Sequence, residues 1–135
     1  MEWDLQQAVY TALAADAGLA ALNVAIHDVA PQSPDEGGGA GYPRISVGEM
    51  DVRDQGTKAS DLFDVILRIH TYSASGSHRE ARRIQARLFA VLHRAKLPLA
   101  GHNLVSIRRE ASRLDRDPDD VRHGVCEFRI LIEPL

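Results

Sequence analysis

Residues 62 to 73 read LFDVILRIHTYS, and residues 77 to 94 read SHREARRIQARLFAVLHR. In the first stretch Phe63, Val65, Leu67 and Ile69 alternate with Asp64, Arg68 and His70, the two-residue period of a strand that buries one face only. In the second the period changes. Ala81, Ile84, Leu88, Val91, Leu92 and Ala95 recur at helical spacing, and Ser77 followed by Glu80 predicts a capping box at the helix start. Pro98 and Gly101, in KLPLAGHN, are expected to end that helix. A one-sided strand followed by an amphipathic helix is the unit of an α+β fold, in which helices cover one face of a sheet.

The remaining elements extend this pattern in both directions. Upstream, Leu5, Val9, Ala12 and Leu13 predict an amphipathic helix over residues 3 to 17 with Gly18 as its C-cap, and LAAL, 19 to 22, adds a further turn. VAIHDVAP predicts a short strand ended by Pro31, and residues 31 to 43 form a Pro/Gly-rich connector. Ile45 and Val47 then share one parity while Met50 and Val52 share the other, so a bulge near Gly48 is needed to keep all four inward. Residues 53 to 61 are expected to form a turn or an excursion between strands. Downstream, strands are expected around 103 to 110 and 121 to 133, joined by the acidic turn LDRDPDD. In the last strand Gly124, Cys126, Phe128, Ile130 and Ile132 point one way and Glu127 and Arg129 the other. No internal repeat is visible. The sum is a single domain, residues 1 to 135, with a four-stranded antiparallel sheet, two helices on one face and a short extra strand.

Composition narrows the function classes. At 135 residues the chain is long enough to bury roughly 68% of its unfolded surface without a covalent staple. One cysteine, Cys126, excludes an internal disulfide framework and a cysteine-based zinc cluster. The first residues are acidic and lack the basic start and unbroken apolar run of a secretion signal, and no window approaches a membrane span. A formal net charge of -3 argues against general DNA coating, because non-specific affinity comes from clustered positive charge. Only a local patch remains for nucleic acid.

That patch is the helix at 77 to 94. Arg79, Arg82, Arg83 and Arg87 lie off its apolar stripe, where any surface helix keeps its charges, and strands flank it on both sides, so the frame of a DNA-reading helix is missing. The six histidines lack the spacing of a metal site, and His123 and Cys126, three apart, fall on opposite faces of a regular strand. Asp115, Asp117 and Asp119 copy the start of a calcium loop but not its later glycine and glutamate, so a turn is the better reading. GGGAGYP lacks the helix and lysine of a phosphate loop. No serine sits in a nucleophile elbow. His70 or His123 gathered with a carboxylate in a pocket would be needed to revive an enzyme.

What remains distinctive is a set of phrases in fixed order: LAADAGLAAL before HDVAP, YPRISVGEMDVRDQGTKASD leading into VILRIHTYS, then LPLAGHNLVSIRRE and LDRDPDDVRHGVCEFRILIE. In their order and spacing these resemble the phage tail-completion, or tail terminator, family, which also occurs in phage-like gene transfer agents. The resemblance spans about residues 5 to 133. It implies a non-enzymatic virion component without cofactor or metal, found at the junction of tail and neck and assembled in the bacterial cytoplasm. Such a protein forms a homohexameric ring on the head-proximal end of the tail tube. Its partners are then copies of itself, the major tail tube protein and a head-completion or stopper protein, while DNA passes through the lumen without specific binding.

On that reading Arg79, Arg82, Arg83 and Arg87 are expected at a subunit interface. Glu49, Asp51, Asp54, Lys58 and Asp61, together with Asp115 and Asp117, are expected at axial or luminal contacts. The alternatives are another neck or stopper protein, or a nucleic-acid-binding module using the basic helix.

Overall fold

The computed structural model describes residues 1–27 and 42–135. The elements are α1 (Glu2–Ala14), α2 (Ala17–Ala21), β1 (Ala25–His27), β2 (Arg44–Asp54), β3 (Phe63–Ser73), α3 (His78–Leu92), β4 (His102–Arg116) and β5 (Arg122–Pro134). The strands form one sheet in the order β1-β2-β3-β5-β4. The four long strands pair antiparallel. The expected extra strand is β1, which joins the sheet beside β2 and runs parallel to it, Ala25 opposite Arg44. The sheet is therefore mixed at one edge. The Pro/Gly-rich connector falls mostly on residues 28–41, outside the described residues.

Both main helices lie on one sheet face, and the core fills the gap between. Leu5, Val9 and Leu13 of α1 and Ile84, Leu88 and Leu92 of α3 pack against Ile45, Val47, Val65, Leu67, Ile69, Cys126, Phe128, Ile130 and Ile132. These are the residues that the two periodicities selected. The bulge is present: the β2–β3 register shifts between Val47 and Met50. A glycine is needed there, because a Cβ on Gly48 would lie 2.7 Å from the Arg68 carbonyl and 2.8 Å from the His70 ring. The bulge carries Met50 against the core. Val52 stands opposite buried Val65 but beyond the stretch of β2 that β1 covers, and is 36% exposed.

Four expectations need correction. The first helix does not run to residue 17: it ends at Ala14, and Asp16 caps a separate α2 by accepting from the Leu19 amide at 2.9 Å. Gly18 lies inside α2, where a Cβ would collide with the Arg87 side chain. The Ser77 hydroxyl accepts from the Arg79 amide, whereas Glu80 turns back to accept from the Ser73 hydroxyl at 2.6 Å instead of closing a capping box. Helix α3 stops at Leu92, well before Pro98, with Arg94 in the left-handed region at φ 59°. Finally, β4 continues to Arg116, so only 117 to 121 remain for the turn, closed by the Asp117 amide on the Val121 carbonyl at 2.8 Å.

Candidate assembly surfaces

The sheet face opposite the helices carries a ladder of charges. Strand alternation puts Asp51, Asp64, Arg68, His70, Glu127 and Arg129 there, and cross-strand register brings opposite signs together. Arg68 reaches Asp51 at 2.9 Å and Glu127 at 3.1 Å. Arg129 forks onto both oxygens of Asp64, at 3.1 and 2.8 Å, and approaches Glu110 at 3.7 Å. The Arg129 hydrogen bond outweighs burial and holds the Asp64 carboxyl below its usual range. These arginines are already neutralised within the chain.

One end of this face holds a ring cluster. His70 Nε2 sits 3.0 Å from Glu49, and its Nδ1 sits 2.9 Å from His123 Nε2. A carboxylate only accepts, so His70 donates from Nε2, and in the neutral pair His123 donates to Nδ1. Tyr72 stacks on His123 with centroids 4.7 Å apart, and the Arg44 guanidinium lies 4.8 Å from the Tyr72 ring. Burial, then the neighbouring His70 charge, pushes His123 below its ordinary value. Burial acts to raise Glu49, but a backbone hydrogen bond and His70 outweigh it and leave the carboxyl lowered. The two histidines and a carboxylate that would have revived an enzyme are thus together. They lie on a flat sheet face with Glu49 exposed, while the grooves of about 700 and 380 Å³ are lined by other residues. Among the described residues no group of three or more His, Cys, Asp or Glu is placed to hold a metal ion.

The acidic segments do not form one site. Asp54 is level with Phe63, Ile132 and Leu104, whereas Arg44 is level with Tyr72, His123 and Asp115. The β2–β3 turn with Asp54, Lys58 and Asp61 therefore caps one end of the sheet, and the β4–β5 turn with Asp117 caps the other. At ~3.3 Å per residue, eleven-residue strands separate the two tips by roughly 35 Å. Asp54 accepts from the Gly56 amide at 2.8 Å, and Lys58 and Asp61 are exposed. Glu49 and Asp51 lie on the flat face between the tips.

The arginines of α3 divide in two. Arg87 is committed within the chain, reaching Asp16 at 2.6 and 3.1 Å and holding that carboxyl below its usual range. Arg79, Arg82 and Arg83 are exposed, and among the described residues Arg82 reaches Gln85 at 3.2 Å. Gln85 itself was missed by the stripe count because it is polar. It is 3% exposed and donates to the Arg113 carbonyl at 2.8 Å, where β4 forms the edge of the sheet. Two further contacts cap the same strand: His93 Nδ1 accepts from the Arg109 amide at 3.1 Å, and the Arg94 amide donates to the Ile107 carbonyl at 2.8 Å. A polar residue on the buried stripe, next to a long strand, was the available signal.

Compared with known proteins, the chain matches the family model described as tail completion protein gp17 over residues 7–133. The chain belongs to this tail completion family. A search of curated proteins finds no match. Among solved structures, a chain of "Virion of native gene transfer agent (GTA) particle" is similar with a TM-score of 0.87 and 28% identity, covering 98% of this chain and 96% of that one. Membership makes the protein a structural component of a phage-type tail or neck, a class that is not enzymatic. No described helix is long and apolar enough to cross a membrane.

Proposed function

We propose that the protein is a tail terminator: a homohexameric ring on the head-proximal end of a tail tube that ends tube growth and presents a surface to the head-side connector. The observation that carries this reading is the family match, which spans almost the whole chain. The geometry supports it. A ring needs two different patches on each copy, one meeting the other on the next copy through a rotation that closes. It also needs contacts on both axial sides, and the two acidic tips at opposite ends of the sheet suit a tube on one side and a stopper on the other. We assign Asp54, Lys58 and Asp61 to one axial contact, and Asp117 with the neighbouring Asp115 to the other.

The flat sheet face suits a lumen. Its central arginines, Arg68 and Arg129, are paired to carboxylates, so the middle of the face offers a sliding duplex few free cations to grip. Glu49 and Asp51 lie on this face. Exposed Arg79, Arg82 and Arg83 are assigned to contacts between subunits, where charge sets register more than affinity.

The test is electron microscopy of particles made without the protein. Overlong, headless tubes are expected, and added purified protein is expected to cap tubes and restore attachment of heads. Tubes of normal length with heads attached would remove the assignment.

A further inference from the structure

Among the described residues the two edges of the sheet are each half blocked, and the open halves come level at one end. On one edge, β1 covers only Arg44 to Ser46 of β2; among the described residues nothing pairs with the outer side of β2 beyond that point. On the opposite edge, His93, Arg94 and Gln85 cap β4 at Ile107, Arg109 and Arg113, and residues 103 to 106 carry no such cap among the described residues. Register brings the two open stretches level at Arg53 and Asp54 of β2, which share rows with Ser106 and Leu104 of β4. Arg53, Asp64, Leu131 and Ser106 form one row across the sheet, and Asp51, Ile66, Arg129 and Arg108 form another on the same face. Unpaired edge backbone is a template for a strand from another chain.

Charge identifies which chain. Residues 94 to 108 contain Arg94, Lys96 and Arg108 and no acid, whereas residues 49 to 61 contain four acids against two cations. Arg108 stands directly opposite Arg129, a like-charged neighbour whose own acids, Asp64 and Glu110, are already engaged. Like charges opposite each other are destabilising. Arg108 makes no ion pair among the described residues, and the place for an acid is on its open side. The next residue in its row, carried over to an adjacent copy, is Asp51, which Arg68 holds through Oδ2 while the side chain stays 60% exposed and its Oδ1 can accept from a neighbour. A groove of about 700 Å³ beside β4, lined by Leu97, Leu99, Leu104 and Val105, gives an incoming strand room.

We propose that copies of this chain join edge to edge, the open half of β2 on one copy lying antiparallel against residues 103 to 106 of β4 on the next, with Asp51 of one copy meeting Arg108 of the other. The direction is consistent, since β2 and β4 already run antiparallel within a chain, so neighbours related by simple displacement and rotation keep that sense. From Ile107 onward the caps from Arg94, His93 and Gln85, and farther on the β1 of the next copy, fill the space between the strands, so that Arg108 reaches across with its side chain alone. Pairing is thereby confined to one end, and the strands diverge as sheet twist requires. This interface rests on the ring reading above.

Two experiments test it on full-length protein bound to tail tubes. Asp51→Arg and Arg108→Asp are each expected to reduce tube-end occupancy about tenfold, and the two together to restore it to within about threefold of wild type. Arg53→Cys with Ser106→Cys is expected to give a ladder of chain-to-chain disulfides under mild oxidation, while Arg53→Cys with Arg113→Cys gives none. The native Cys126 is buried and stays out of the reaction. The cysteine pairs decide the matter if a charge reversal fails to fold. No recovery in the double reversal, or equal ladders from Ser106 and Arg113 positions, overturns the interface. If the protein still caps tubes in that case, the ring reading stands alone; normal tubes without the protein overturn both.

Discussion

Substituting Gly124 tests how the sheet and α3 fit together. Gly124 sits on the core face of β5, opposite Thr71, and a Cβ there would collide with Thr71 Oγ1 and lie 2.7 Å from Gln85 Nε2. Thr71 is fully buried and cannot swing outward. Gln85 can retreat only by giving up its 2.8 Å bond to the Arg113 carbonyl. Overpacking of one methyl costs about 1–3 kcal/mol, and stranding the Gln85 amide and the edge carbonyl costs about 1–3 kcal/mol more. Taking about 3 kcal/mol in all, and roughly 0.3 kcal/mol per degree for a chain of this length, Gly124→Ala should lower Tm by about 10 °C. Circular dichroism melts measure this. Gly124→Ala with Thr71→Ala removes the first collision and should recover about half of the loss. A single variant within about 1 °C of wild type would show that the close packing of β5 against Thr71 and α3 is not as described.

Acid should act on stability in two stages. His123 has a lowered value when folded, so its contribution is intact above ~6.5 and is lost as pH falls through that value toward the folded one. Asp16 and Asp64 are likewise lowered, and their contributions disappear only as pH falls below about 4. Tm measured from pH 8 to 3 should show both stages, and His123→Gln should abolish the upper one only. Cys126, whose thiol burial pushes to about 11, should resist a thiol reagent at pH 8 and react at once in denaturant; fast labelling of native protein would contradict its placement. Leu88→Ala, at a fully buried position on α3, should cost about 2–5 kcal/mol in urea unfolding with an unchanged m value.

The long strands and the helical stripe were legible because burial imposes a period on the sequence. Ile84, Leu88 and Leu92 could be read from spacing alone, and the phase slip between Val47 and Met50 disclosed the bulge. Local signals misled where a distant partner decided the outcome. Gly18 resembles a cap, yet its small size serves the Arg87 side chain that crosses from α3 to Asp16. Glu80 has the spacing of a capping box but finds a stronger acceptor role at Ser73. The surfaces were harder still. Which acids share an end of the molecule depends on strand order, and no period in the sequence records that Asp54 and Asp117 stand at opposite tips. Gln85, the residue that caps the β4 edge, looked like an ordinary polar position until β4 was beside it.

Strands β3 and β5 pair without interruption from Phe63 with Ile132 to Ser73 with Arg122, and the two turns project from opposite ends of that ladder. A pull between the turns therefore runs along the strands. All bonds of the ladder then share the load in shear, instead of parting one at a time as they would under a sideways peel. On the placement proposed above, between a tube and a head, that alignment would make the domain a tension member, with a resistance to force far above what its equilibrium stability alone suggests.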